Sequence, residues 1–168
     1  MKKILSFIAP TGFQDVEYAD SKAALEEAGH QVITASDAPE AVGKFGSKVQ
    51  VDVLLNDVKE EDYDALLLVG GPGIHAYFDD LRLHALARSF LVAGKVTAAI
   101  CAAPSVLAKA ALLEGKNATC FPGEQELLKS HGALVSGNGV EQDGLLVTAE
   151  GPESAHEFGE RVSQLLDL

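Results

Sequence analysis

Tryptophan is absent from this chain, methionine occurs once, and cysteine occurs only at Cys101 and Cys120. Two thiols are too few to staple a chain of 168 residues, so its own apolar core must hold it, and a reduced, cytoplasmic setting is expected. No block of Lys or Arg occurs: 13 basic residues stand against 25 acidic ones, for a formal charge of −12. A surface of that sign repels phosphate, which excludes nucleic acid as a partner and argues against anionic membranes. No apolar run approaches the roughly 20 residues needed to cross a bilayer. No His, Cys, Asp or Glu residues fall at metal-ligand spacing, so no metal is expected. No Gly-x-Gly-x-x-Gly occurs, and no Lys-Ser or Lys-Thr phosphate loop, so no cofactor is implied.

What is present is an ordinary globular composition, 47% hydrophobic and 23% charged. The length fits one domain over residues 1–168. The start, Met1-Lys2-Lys3 followed by Ile4 to Ala9, mimics a signal peptide but runs into Pro10-Thr11-Gly12 without a small-residue cleavage site. It reads as a buried first strand.

Short apolar runs alternate with helix-period segments, the pattern of a mostly parallel sheet covered by helices on both faces. Strands are expected at 3–9, 32–35, 65–69 and 96–100, with a short one at 117–120. Helices are expected from about Asp15 to Ala28, Leu81 to Ala93, Pro104 to Leu113, Glu124 to Ser130 and Glu153 to Leu166. The last places Ala155, Phe158, Val162 and Leu165 on one face. Val49, Val51 and Val53 alternate, which suggests a half-exposed ribbon. Asp143-Gly144 is a hairpin turn signal.

The chemistry centres on Val96-Thr97-Ala98-Ala99-Ile100-Cys101-Ala102-Ala103-Pro104. A buried strand delivers Cys101 to the carboxyl edge of the sheet, where open α/β folds bind ligands, and a helix restarts at once. Cys101 is therefore expected on a sharp turn similar to a nucleophile elbow, with small neighbours leaving room for it. The helix start is expected to favour thiolate over thiol. A cysteine in an apolar run is more often plain packing; that reading fits Cys120, which lacks this context.

Gly70-Gly71-Pro72-Gly73 follows another core strand, and its N–H groups can approach a bound group closely. Read alone, it is also just a loop. Glu17 lies early in the first helix, at the same sheet edge; as helix-start acids, Asp15 and Glu17 would otherwise only serve the dipole. His75 follows the glycine loop and is either an auxiliary group or a solvated surface residue. His84 and His131 are expected at exposed positions.

These residues carry a resemblance. Phe13-Gln14-Asp15-Val16-Glu17, Tyr63 to Gly71, Ala98-Ala99-Ile100-Cys101-Ala102-Ala103-Pro104 and Gly151-Pro152 are similar in order and spacing to the DJ-1/PfpI superfamily across almost the whole chain. The resemblance implies a flavodoxin-like three-layer sandwich and a homodimer. It implies a Cys101–Glu17 dyad with a protonated glutamate. Gly70, Gly71 and Ala102 would supply the oxyanion and binding pocket, with His75 and Pro152 as auxiliary positions.

Three positions depart from the family pattern. Members described as intracellular proteases carry His after the cysteine, where this chain has Ala102, which disfavours a cysteine peptidase. Another family histidine, after the following strand, matches Phe121. The usual Pro before the glycine pair is Val69. The chain looks more like the DJ-1/YajL branch, which implies stress protection and a small carbonyl substrate. The implied activity is a glutathione-independent glyoxalase or protein deglycase acting on α-oxoaldehydes. The alternative is a non-enzymatic redox sensor or chaperone whose Cys101 is oxidised to sulfinate.

Overall fold

Hydrophobic strands form the centre of the computed structural model, which describes residues 1–168. In chain order, β1 (Lys3–Phe7) and β2 (Thr11–Phe13) lead into α1 (Asp15–Glu27). β3 (Gln31–Ser36), β4 (Glu40–Gly43), β5 (Lys48–Gln50), β6 (Val53–Leu54) and β7 (Ala65–Leu68) follow. Then come α2 (Leu81–Val92), β8 (Val96–Ile100), α3 (Pro104–Lys109), β9 (Asn117–Ala118) and α4 (Gln125–Ser130). β10 (Leu134–Val135), β11 (Val140–Asp143), β12 (Leu146–Ala149) and α5 (Ala155–Leu166) complete the chain.

Seven strands make one sheet in the order β11-β12-β8-β7-β1-β3-β6. All its pairings are parallel except the β11–β12 hairpin, which turns at Asp143-Gly144 as expected. Side chains alternate between the two faces, because successive residues of a strand point to opposite sides. Leu5, Phe7, Leu66 and Leu68 pack with Leu83, Ala87 and Phe90 of α2 and Val106 and Leu107 of α3. Ile4, Leu67, Ala98 and Ile100 pack with Leu25 of α1 and with Ala155, Phe158 and Val162 of α5. The result is the helix-covered, mostly parallel sheet that the apolar pattern predicts, in the three-layer, flavodoxin-like form that the resemblance implies. No helix is long and apolar enough to cross a membrane.

Some details differ from expectation. α3 stops at Lys109, four residues early, where Ala110 caps it and Ala111 takes φ 61°. The valine ribbon divides: Val49 lies in β5, and Val53 in β6 joins the main sheet. β5 belongs to a separate sheet, β2-β4-β5; Val49 in it and Val51 just beyond its end cover a small cluster around Phe13 and Tyr18. His84 is buried, not exposed: its Nε2 lies 2.7 Å from the Phe78 carbonyl oxygen, a partner that makes burial of a ring nitrogen affordable. His131 is half-buried, with Nδ1 2.9 Å from the Leu127 carbonyl oxygen.

Candidate functional site

The five residues of β8 are all buried, and the next residue, Cys101, turns the chain sharply with φ 64°. A left-handed conformation at a non-glycine residue costs about 1–3 kcal/mol and persists only where its surroundings hold it. Here they do. The Cys101 N–H donates to the Ala149 carbonyl, and the Cys101 carbonyl accepts from the Phe121 N–H, each at 2.8 Å. The Ala103 N–H closes the turn onto Ile100 at 3.0 Å.

Glu17 arrives from the first turn of α1. Gln14 caps that helix: its side-chain oxygen accepts the Glu17 N–H at 2.9 Å. The Glu17 side chain is fully buried. Its Oε1 accepts the Gly70 N–H at 3.0 Å. Its Oε2 is buried without a well-formed hydrogen bond, and the Cys101 thiol is the side chain that interacts with the carboxyl. The proximity is tight: a Cβ placed on Gly70 would lie 2.7 Å from both Glu17 Oε1 and Cys101 Cβ. Gly71 has φ 111°, and a Cβ there would stand 2.5 Å from the Gln14 nitrogen. Only glycine lets these two segments approach so closely.

Burial pushes the Glu17 carboxyl up to about 7, against the lowering effect of its bonds to Cys101 and Gly70. Burial also pushes the Cys101 thiol up, and a charged Glu17 beside it pushes in the same direction. The N–H groups of Ala102 and Gly71, aimed at the sulfur, oppose this and lose. The expectation of a thiol acidified by the helix start is therefore corrected. Two anions in contact are too costly, so the pair retains one proton between them near neutral pH. Thiolate forms when Glu17 carries that proton.

A cleft of about 320 Å³ opens on this pair. Of the residues singled out in the sequence, Glu17, Gly71, His75, Cys101, Ala102 and Pro152 line it. Gly70 does not; it lies behind the pair with its N–H taken by Glu17, so it has no donor left for a ligand. Gly71 and Ala102 are the N–H groups that face the sulfur. His75 is half-exposed, stacks at 4.6 Å on Phe78, and lies 3.5 Å from a Glu124 carboxylate oxygen. Cys120 is buried in the core on the other face of the sheet.

Sequence reasoning missed Gln14, Lys44 and Pro72 as lining residues and gave Phe121 no role in the cleft. Lys44 is brought there from outside the main sheet by the β4–β5 turn, which no periodicity announces. No group of three or more His, Cys, Asp or Glu side chains comes together in a metal-holding arrangement.

Comparison with known proteins gives a consistent picture. The family model described as "DJ-1/PfpI family" matches residues 2–165. An uncharacterized protein of Methanocaldococcus jannaschii is 37% identical over 98% of this chain and 82% of its own length. A ThiJ/PfpI domain protein from Brachyspira murdochii superposes with a TM-score of 0.96, at 33% identity over 98% of this chain and 96% of that one. Drosophila melanogaster DJ-1beta gives 0.91 at 30% identity over 98% of this chain and 90% of that one. Toxoplasma gondii DJ-1, solved in an oxidized form, gives 0.89 at 30% identity over 99% and 91%.

Proposed function

This chain belongs to the DJ-1/PfpI family, and from that premise we propose that it is a cofactor-independent enzyme converting small α-oxoaldehydes to 2-hydroxy acids through Cys101 and Glu17. The observation that carries the reading is the fully buried Glu17 carboxyl, pushed up to about 7, against a thiol at the floor of an open cleft. A group that titrates near neutral pH can both give and take a proton there.

With methylglyoxal the sequence of steps needs no oxidant. The Cys101 sulfur forms a bond to the aldehyde carbon, and the carbonyl electron pair moves to oxygen. That oxygen lies within reach of the Gly71 and Ala102 N–H groups, and Glu17 supplies its proton. The Glu17 carboxylate then removes the hydrogen from the same carbon. The released electrons pass through an enediol, and protonation of the neighbouring carbon leaves a thioester. Water cleaves the carbon–sulfur bond, giving lactate and restoring the thiol. The balance is methylglyoxal plus water to lactic acid, with the aldehyde oxidised and the ketone reduced within one molecule.

Lactate formation by purified protein, with Cys101→Ala as control, tests this reading. No lactate from the wild-type protein, or equal amounts from both, would overturn it.

A second reading uses the same thiol without turnover. Cys101, faced by Glu17 and two N–H donors, is a site where a sulfinate finds hydrogen bonds, so oxidation would mark the protein as a sensor or chaperone. The oxidized Toxoplasma relative supports it. In either reading the working unit is taken to be a homodimer, on the family resemblance; sedimentation at micromolar concentration showing only monomer would contradict this.

A further inference from the structure

Two donors at the Cys101 cleft have no acceptor. Gln14 uses its side-chain oxygen to cap α1, accepting the Glu17 N–H at 2.9 Å. That bond fixes the orientation of the amide, because an N–H can only be met by the oxygen. The NH₂ end is left free on a residue that lines the cleft. Lys44 lines the cleft too. Lys22, Lys95, Lys109 and Lys129 each pair with a carboxylate. Lys44 is among the six of ten lysines that pair with none, and it is one that lines this cleft; its ammonium lies 5.3 Å from the Phe45 ring centre.

The position of Lys44 is built, not incidental. Asp15, two residues before Glu17, accepts the Phe45 N–H on Oδ1 and the Ser47 N–H on Oδ2, each at 2.9 Å. Burial raises the Asp15 carboxyl, but bonds from the Ser47 hydroxyl and these N–H groups outweigh it and hold it below its ordinary value. The Lys44 N–H donates to the Phe13 carbonyl at 2.8 Å. The Asp15 carboxylate passes Gly43 so closely that a Cβ there has no room. The tip of the β4–β5 turn is thus tied to the helix start that carries both Gln14 and Glu17.

We propose that Gln14 and Lys44 form a carboxylate subsite, so that the compound reacting at Cys101 carries a carboxylate at its far end. This deepens the preceding reading to one substrate class, α-oxoaldehydes with an acidic tail. A carboxylate fits the donors better than a phosphate does. One ammonium and one amide NH₂ match a single negative charge, and no arginine lines the cleft to meet a dianion.

The decisive test is independent of turnover. N-iodoacetylglycine and its amide differ only in the charge of the tail. Their alkylation rates at Cys101, read by mass spectrometry, give a ratio in which changes of thiol reactivity cancel. Lys44→Gln should lower the carboxylate-to-amide ratio by up to about fivefold, the size of one partly exposed ion contact. Lys44→Arg should keep the ratio, and added salt should reduce it in the wild type and in Lys44→Arg but not in Lys44→Gln. An identical ratio in wild type and Lys44→Gln overturns the subsite. In turnover, kcat/KM for γ,δ-dioxovalerate relative to methylglyoxal should fall in Lys44→Gln by a similar factor. Failure to turn over either aldehyde would remove the proposed activity, and the alkylation ratio would still decide the subsite.

Discussion

The Gly70 N–H donates to Glu17 Oε1 at 3.0 Å, so a residue in the loop just past β7 fixes the carboxyl facing the thiol. A Cβ at Gly70 would meet Glu17 Oε1, Cys101 Cβ and the Ile100 carbonyl oxygen, all at 2.7 Å. Gly70→Ala is therefore expected to displace the dyad as well as to overpack its surroundings. The stability loss should be about 1–3 kcal/mol, as for other overpacked sites. Denaturant unfolding reads that loss, and the alkylation rate of Cys101 reads the displacement. Native-like reactivity in a folded Gly70→Ala protein would show that the close approach is not needed.

Glu17 also links stability to pH. Its ordinary value of 4.5 is raised to about 7 in the folded protein. The folded state therefore binds this proton more tightly than the unfolded state. Its contribution is full below pH 4.5 and is lost as pH rises through about 7. The total is roughly 3 kcal/mol at 1.36 kcal/mol per unit. Glu17→Gln, which cannot ionise, should gain on the wild type across that window. Parallel stability curves for the two proteins between those limits would mean that Glu17 is not the buried acid described here.

The two cysteines should separate cleanly under iodoacetamide. Cys101 opens on the cleft, and the shared titration of the Cys101–Glu17 pair should govern how its rate rises with pH. Burial, with Glu124 nearby, pushes Cys120 up to about 12, and it is almost wholly covered. In Glu17→Gln the charge that pushes the thiol up is gone, so Cys101 should ionise at lower pH than it does beside the glutamate carboxylate. Equal labelling of the two sites in folded protein would contradict the assignment.

Much of this site is readable in the chain itself. The run from Val96 to Pro104 announces strand, turn and helix, because five buried residues end in small residues and a helix-starting proline. The Asp143-Gly144 hairpin and the apolar face of α5 are equally local signals. What escapes is set by contacts distant in sequence. Thr11–Phe13 is a strand because it pairs with Glu40–Gly43, which pairs on its other side with Lys48–Gln50. Lys44 reaches the cleft because Asp15 holds its turn from 30 residues away. His84 looks like a surface residue until the Phe78 carbonyl is found beside its ring. The thiol's ionisation misled for a related reason: the helix start is visible in sequence, but the depth of burial around Cys101 and Glu17 is not.

Peroxide should oxidise Cys101 to the sulfinate and largely stop there, since Glu17 and the N–H groups of Gly71 and Ala102 surround the sulfur with hydrogen-bonding partners. Intact-mass analysis should show two added oxygens, and peptide mapping should place them on Cys101. A Cys101–Cys120 disulfide as the main product would contradict the packing, because the two thiols belong to cores on opposite faces of the sheet.

The most direct test of the central claim is the conversion of methylglyoxal in heavy water. If Glu17 moves the proton between adjacent carbons, the acid exchanges with solvent and the lactate formed carries deuterium on the carbon bearing its hydroxyl. Glu17→Gln should then lose about 10²–10⁴-fold in rate, the usual worth of a positioned acid–base group. A Glu17→Gln protein that keeps its full rate would contradict the account.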